Sequence, residues 1–152
     1  EVGYGQFIDF DEDFIGREAL AEKIKKPKRK KVTLVWNQND VMDVMRASVF
    51  DSEKPARFIK MPLSIYSTYQ CDEVVKDGRH VGVSQYAGIS ANARQMLSLS
   101  LVDIEQSEPG TEVILRWGEP NSKRITVEQN VAYDIRATVA PSPYFQKNIK
   151  KD

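Results

Sequence analysis

The side chains able to do chemistry are present but scattered. His80 is the sole histidine and Cys71 the sole cysteine. A histidine-based metal cluster therefore cannot form, and no paired carboxylate stands beside His80 to complete another ligand set. Hydrolysis by a serine–histidine pair would have to use His80, yet no nucleophile-elbow pattern lies near it. It reads as a surface histidine just past a turn. Cys71 has no identifiable base beside it to generate a thiolate. General acid–base work needs titratable groups within hydrogen-bond reach of a substrate. The 22 Asp and Glu residues show no spacing that singles out a pair. Gly3 and Gly5 are too sparse for a phosphate loop, and GxxxxGK[ST] is absent. Lys25 to Lys31, KKPKRKK, is a basic run broken by Pro27. It reads as a solvated connection, as a phosphate or nucleic-acid patch, or as lysines facing a polyanionic ligand tail bound elsewhere. Against nucleic acid stand the missing interleaved aromatics and a balance of 22 basic against 22 acidic side chains, which leaves no global field.

The elements that would position these residues are mostly strands. Ser107 to Tyr144 opens on Glu108-Pro109-Gly110, a turn signal. Thr111, Val113, Leu115 and Trp117 then share one side of an extended run. After a polar loop over Gly118 to Ser122, Ile125 and Val127 start a second run. Ile135, Ala137 and Val139 make a third, which Pro141 and Pro143 stop because neither can donate a ladder hydrogen bond. Tyr144 is expected just past the rim.

Upstream, Tyr4 to Phe10 alternates like a strand. Gly16 to Lys25 reads as a short helix, with Leu20, Ile24 and Ile15 on its buried side and Asp13 near its start. Lys31 to Trp36 is strand-like, with Val32, Leu34 and Trp36 inward. Asn37 and Asn39 are good caps for a helix from about Asp40 to Ser48. Its Val41, Met42, Val44, Met45 and Val49 form an apolar side, read as core or as an adaptable surface. Lys54 to Ser67 carries two prolines and is expected to be a long loop, with Tyr66 and Tyr69 flanking it. Asp77-Gly78 between Tyr69–Lys76 and Arg79–Tyr86 marks a hairpin with a type I′ turn. Gly88 to Arg94 reads as a bend. From Met96 to Ile104, Leu97, Leu99 and Leu101 alternate with Ser98, Ser100 and Val102. Six or seven strands and two helices give a mainly β class with two short helices, a small antiparallel β-barrel.

The 152 residues suit one domain with a real core. There is no apolar run long enough for a transmembrane helix, no signal-peptide pattern, and a lone cysteine, so a cytoplasmic location is expected. The chain lacks an initiator Met and starts mid-pattern at EVGYGQFIDF, which reads as a fragment of a longer protein.

Three segments, in order, resemble the aminomethyltransferase family, the T-protein of glycine cleavage. DFIGREAL, Asp13 to Leu20, is close to its DFIG[KR]EAL stretch. GRHVGVSQYAGISANARQMLSLSLVD resembles its G-x-V-T-S-G-x-x-S-P passage, with Ser84 and Ser90 keeping the serines and Ala91 in place of Pro. The third is EPGTEVILRWGEPN through IRATVAPSPY. Its wording is closest to the tetrahydrofolate-dependent aromatic O-demethylases of vanillate and syringate type, and the Asn121 to Val131 segment looks longer than in glycine-cleavage proteins.

The resemblance implies a folate-binding core followed by a C-terminal barrel. Residues 1–12 would be the end of that core or a linker strand, and 13–152 the barrel. The parent protein would pass a one-carbon unit from a methoxylated, aromatic small-molecule donor to N5 of tetrahydrofolate. Its catalytic carboxylate and pterin-gripping residues would lie before residue 1, so no catalytic residue is assigned in this chain. The folate-facing position that carries over is Tyr144, the terminal aromatic; in the segment Gly3-Tyr4-Gly5-Gln6, matching the family's G-L-G-W, Gln6 stands where the family has a folate-lining Trp, and Tyr4 is the nearby aromatic, so the resemblance implies Tyr4 and Gln6 as further folate-side positions. The partners implied are the N-terminal folate-binding domains of the same protein. Aminomethyl transfer in glycine cleavage is the alternative. A stand-alone nucleic-acid-binding module is the reading from another class. The isolated chain is expected to fold but to be inert.

Overall fold

The computed structural model describes residues 1–50, 53–59, 71–125 and 127–145. Six antiparallel strands close into a barrel: β1 (Arg29–Trp36), β2 (Asp72–Lys76), β3 (Arg79–Ser90), β4 (Gln95–Asp103), β5 (Glu112–Trp117) and β6 (Tyr133–Ala140). Their order around the barrel is β1-β4-β3-β2-β5-β6, and β6 returns to β1. Helices α1 (Arg17–Lys25) and α2 (Gln38–Val49) complete the mainly β fold.

Period-two alternation builds the interior. Val32, Leu34 and Trp36 of β1 point inward, as do Val113, Leu115 and Trp117 of β5 and Ile135, Ala137 and Val139 of β6. Burying each large aliphatic side chain contributes about 1.5–3 kcal/mol. Trp36 and Trp117 meet edge to face, ring centres 5.5 Å apart, an arrangement that adds about 0.5–1.5 kcal/mol beyond burial. The β2–β3 hairpin turns on Asp77 (φ 50°) and Gly78 (φ 73°), the type I′ geometry expected of Asp-Gly. β6 ends at Ala140, directly before Pro141.

Helix α2 begins where Asn37 accepts hydrogen bonds from the Asn39 and Asp40 amides at 3.1 and 3.2 Å. Val41 and Val44 are its buried residues, while Met42 and Val49 are exposed. Arg136 ties α2 to β6 by donating to both carboxylate oxygens of Asp40, at 2.9 and 2.6 Å. That guanidinium holds the Asp40 carboxyl below its usual range, outweighing a smaller opposing effect of burial.

Four expectations are corrected. Tyr4 to Phe10 is not a strand but a 3-10 turn at Gly5–Phe7. Gly3 at φ 88° breaks the extension, and the closed barrel leaves no ladder for this segment to join. Helix α1 forms where expected, starting after Gly16 in the left-handed region, but its apolar side is not buried. None of its residues is buried and Ile15 is fully exposed, so the Leu20–Ile24 spacing faces no wall among the described residues. Ile125 and Val127 form no strand; Ile125 is fully exposed. Tyr133–Ala140 pairs with both β5 and β1, so no barrel edge is left for another strand. Finally, β3 runs through the expected bend to Ser90, and the turn falls at 91–94. The expectations on Tyr66 and Tyr69 lie outside the described residues, as does most of the 54–67 loop.

Candidate functional site

Among the predicted folate-facing residues, Tyr144 is half-buried. It lines a cleft of about 360 Å³ with Thr33, Tyr86, Ile89, Leu97 and Leu99. Its ring packs edge-on against Phe145 at 5.1 Å. The cleft has an unusual floor. In β4, Met96, Ser98, Ser100 and Val102 point into the barrel, which leaves Leu97, Leu99 and Leu101 on the outside. Ser98 has an interior task. Ser98 Oγ accepts from the Trp36 indole N–H at 3.0 Å and from Ser84 Oγ at 2.7 Å. A buried indole N–H needs such an acceptor. Beside the cleft, the β3–β4 register shifts between Gln85 and Gly88, and Tyr86 adopts φ 51°. Such a bulge bends the strand and re-aims a side chain.

Tyr4 and Gln6 are exposed. Tyr4 stacks under the Lys31 ammonium, 5.8 Å from the ring centre. Lys31 in turn donates its amide to the Glu1 carbonyl at 3.0 Å and pairs with Leu101 across the β1–β4 ladder. The N-terminal segment and Tyr144 thus border the same outer wall, although neither Tyr4 nor Gln6 lines the cleft. His80 is exposed and lies 3.3 Å from Glu73. Exposed Cys71 accepts from Gln85 Nε2. Among the described residues no three His, Cys, Asp or Glu side chains gather as a metal site.

Sequence reasoning missed a buried ionic cluster at one end of the barrel. Arg57 is almost fully buried; it donates Nη2 to Asp72 and Nη1 to Glu119 at 3.2 Å. Its guanidinium lies 3.7 Å from the Trp117 ring centre, and the Trp117 N–H donates to the Arg57 carbonyl at 2.8 Å. The segment carrying Arg57 crosses the barrel end. The Pro55 carbonyl accepts from Val131 at 2.9 Å, the Ala56 amide donates to Ala47 at 3.2 Å, and the Lys54 carbonyl accepts from the Tyr133 hydroxyl at 2.6 Å. Burial pushes the Asp72 carboxyl up to about 6, more than the Arg57 charge pulls it down; the Glu119 charge adds to the rise. No local motif signals this cluster, because its partners lie 15 and 62 residues from Arg57.

The fold and its surfaces define a closed six-stranded antiparallel barrel with a cleft on its outer wall and an ionic plug at one end. No family model matches the chain. Two curated proteins resemble it along most of its length. The chain is 43% identical to a syringate O-demethylase of Sphingobium sp. (strain NBRC 103272 / SYK-6) over 146 residues. It is 34% identical to a sesamin methylene transferase of Sinomonas sp. (strain No.22) over 154 aligned positions. Each alignment covers 95% of this chain, but only 31% and 32% of the respective relatives. The chain therefore spans about a third of the length of the curated relatives it matches. No helix among the described residues is long and apolar enough to cross a membrane.

Proposed function

We propose that this barrel is the C-terminal unit of a tetrahydrofolate-dependent transferase that takes a one-carbon group from a methoxylated aromatic donor. The observation that carries the reading is the 43% identity with a syringate O-demethylase across nearly the whole chain.

The wall around Tyr144 suits one edge of a flat ring system, since it combines aromatic and aliphatic faces with a few hydroxyls. Among the described residues, no carboxylate lines that cleft. Bound tetrahydrofolate would supply the acceptor nitrogen, N5. This chain's residues would exclude water and hold the ring edge, while the pterin grip would come from the folate-binding domains of the same polypeptide. Tyr144 would contact the folate directly, while Tyr4 and Gln6, which do not line the cleft, would lie outside that contact.

The likeness to a sesamin methylene transferase favours a second reading, in which a methylene rather than a methyl unit is moved. The test is to incubate the longer polypeptide with tetrahydrofolate and either syringate or sesamin. Donor-dependent formation of methyl- or methylene-tetrahydrofolate is expected. Absence of any folate product with both donors would sink the proposal.

A further inference from the structure

Among the described residues, three that are not glycine hold a positive φ: Asp77, Tyr86 and Arg94. Asp77 sits in the β2–β3 hairpin turn and Arg94 in the turn between β3 and β4, where left-handed backbone is ordinary. Tyr86 sits inside strand β3, at φ 51°. A bulky aromatic residue in the left-handed region is an outlier. Such strain persists only where the surrounding structure holds it, and it gathers at functional sites.

The ladder shows what the strain accomplishes. Ser84 pairs with Ser100, Gln85 with Leu99 and Gly88 with Leu97. Three steps along β3 thus match two along β4, so β3 carries one extra residue. Strict alternation from inward Ser84 would turn residue 86 into the barrel, towards Ser98. The bulge sends Tyr86 out instead, and Ala87 packs against the core in its place. Tyr86 is 44% exposed and lines the outer cleft with Tyr144, Leu97 and Leu99.

We infer that Tyr86 is a binding residue of that cleft, a second aromatic wall beside Tyr144 for the flat ring of bound tetrahydrofolate. The inference rests on the function proposed above. Bulges recur beside binding sites because they re-aim one side chain, and a ring contact is what an aimed aromatic contributes. A tyrosine serving only to fill the outer face could take its place on either side of the bulge without a left-handed backbone.

The test separates the ring from the strain. Tyr86→Gly removes both, Tyr86→Phe keeps both, and Arg94→Gly relieves a left-handed residue that does not line the cleft. In the longer polypeptide, fluorescence titration should show tetrahydrofolate bound about tenfold more weakly by Tyr86→Gly, and within about threefold of the unaltered protein by Tyr86→Phe. Arg94→Gly should bind within about twofold. The thermal midpoint of ligand-free Tyr86→Gly should be no lower than that of the unaltered protein, because glycine adopts this φ freely. Undiminished affinity in Tyr86→Gly would overturn the inference. So would lost affinity accompanied by a lower midpoint, since Tyr86 would then support the fold. A raised KM for the methoxylated donor at unchanged folate affinity would overturn it too, by giving the ring to the other substrate. If the unaltered polypeptide binds no tetrahydrofolate, the function proposed above fails. If it binds and Tyr86→Gly binds equally well, that function stands and only the role of Tyr86 falls.

Discussion

The Arg57 guanidinium lies over the Trp117 ring at 3.7 Å, and the Trp117 indole N–H donates back to the Arg57 carbonyl. One residue thus binds the barrel twice, through its side chain and its backbone. Asp72 and Glu119 fix the guanidinium fork from the other side. The 53–59 segment is thereby held across the barrel end.

Arg57→Met keeps much of the packing over Trp117 but leaves Asp72 buried without its cation. Breaking a buried pair from one side costs about 3–5 kcal/mol. Urea unfolding followed by tryptophan fluorescence should show that loss. Arg57→Lys should fall between, because an ammonium retains charge but cannot bridge both carboxylates as a planar fork. A loss below about 1 kcal/mol for Arg57→Met, the range of exposed ion pairs, would show that the cluster does not hold the segment.

The raised Asp72 carboxyl makes stability depend on pH in an unusual direction. Its value in the fold is about 6, against about 3.9 in an unfolded chain. The folded protein binds this proton more tightly. Asp72 therefore contributes stability that is complete below about pH 4 and lost as pH rises through about 6, a difference of order 3 kcal/mol. Asp40 works in the opposite sense: Arg136 lowers its value, so its contribution is present above about pH 4 and lost as pH falls through the folded value. Between about pH 4.5 and 7.5 the Asp72 effect stands alone of the two. Urea midpoints for the unaltered chain should fall across that range, and Asp72→Asn should flatten the fall. An unchanged slope in Asp72→Asn would remove Asp72 as its source.

The barrel was legible in the sequence wherever alternation coincided with a face to bury. Val113, Leu115 and Trp117, then Ile135, Ala137 and Val139, are apolar at every second position, and all six are buried. Alternation without a free ladder misled. Tyr4 to Phe10 and Ile125 to Val127 carry the same period, but pairing is a property of neighbours that the local sequence does not contain. β4 shows a subtler limit. Its period fixes two faces without saying which is inside, and Trp36, 62 residues away, decides by needing a serine.

Ser98→Ala tests that decision. The substitution leaves the Trp36 N–H and the Ser84 hydroxyl without their shared partner inside the barrel. An unsatisfied buried donor costs about 1–3 kcal/mol. The change should lower the thermal midpoint and shift the tryptophan emission. Leu99→Ser, on the outer side of the same strand, should cost less in the 152-residue chain, because that side chain is already partly in water. If Leu99→Ser proved the more destabilising of the two, β4 would face the other way.

Gly82 sets the closest approach of β3 to β4. A Cβ built there would lie 2.4 Å from the Leu101 carbonyl oxygen and 2.8 Å from Val102 Cα. Both are backbone atoms of a closed barrel, so neither can move without disturbing the ladder. Gly82→Ala should cost at least the ~1–3 kcal/mol typical of overpacking, read from the urea midpoint. Gly5→Ala, which meets nothing within 4 Å, is the matched control and should be nearly silent. Equal effects of the two would mean that the strands are not so closely apposed.

The candidate site was legible only through resemblance, since its residues share no spacing motif. The structure separates them: Tyr144 lines the outer cleft, whereas Tyr4 stacks on Lys31 and Gln6 stays exposed in a turn. Their expected contributions differ accordingly. In the longer polypeptide, Tyr144→Ala should weaken tetrahydrofolate binding by about tenfold, roughly the ~1.4 kcal/mol of a lost ring contact. Gln6→Ala should change it by less than about twofold, because an exposed amide has only solvent to lose. Fluorescence titration with tetrahydrofolate reads both. Melts of the 152-residue chain should show Tyr144→Ala to be stability-neutral within about 1 kcal/mol, as the ring lies outside the barrel core. Should Tyr144→Ala bind folate as tightly as the unaltered protein, its ring packs on the outer wall as structure alone, and the cleft would be left to the seam between units.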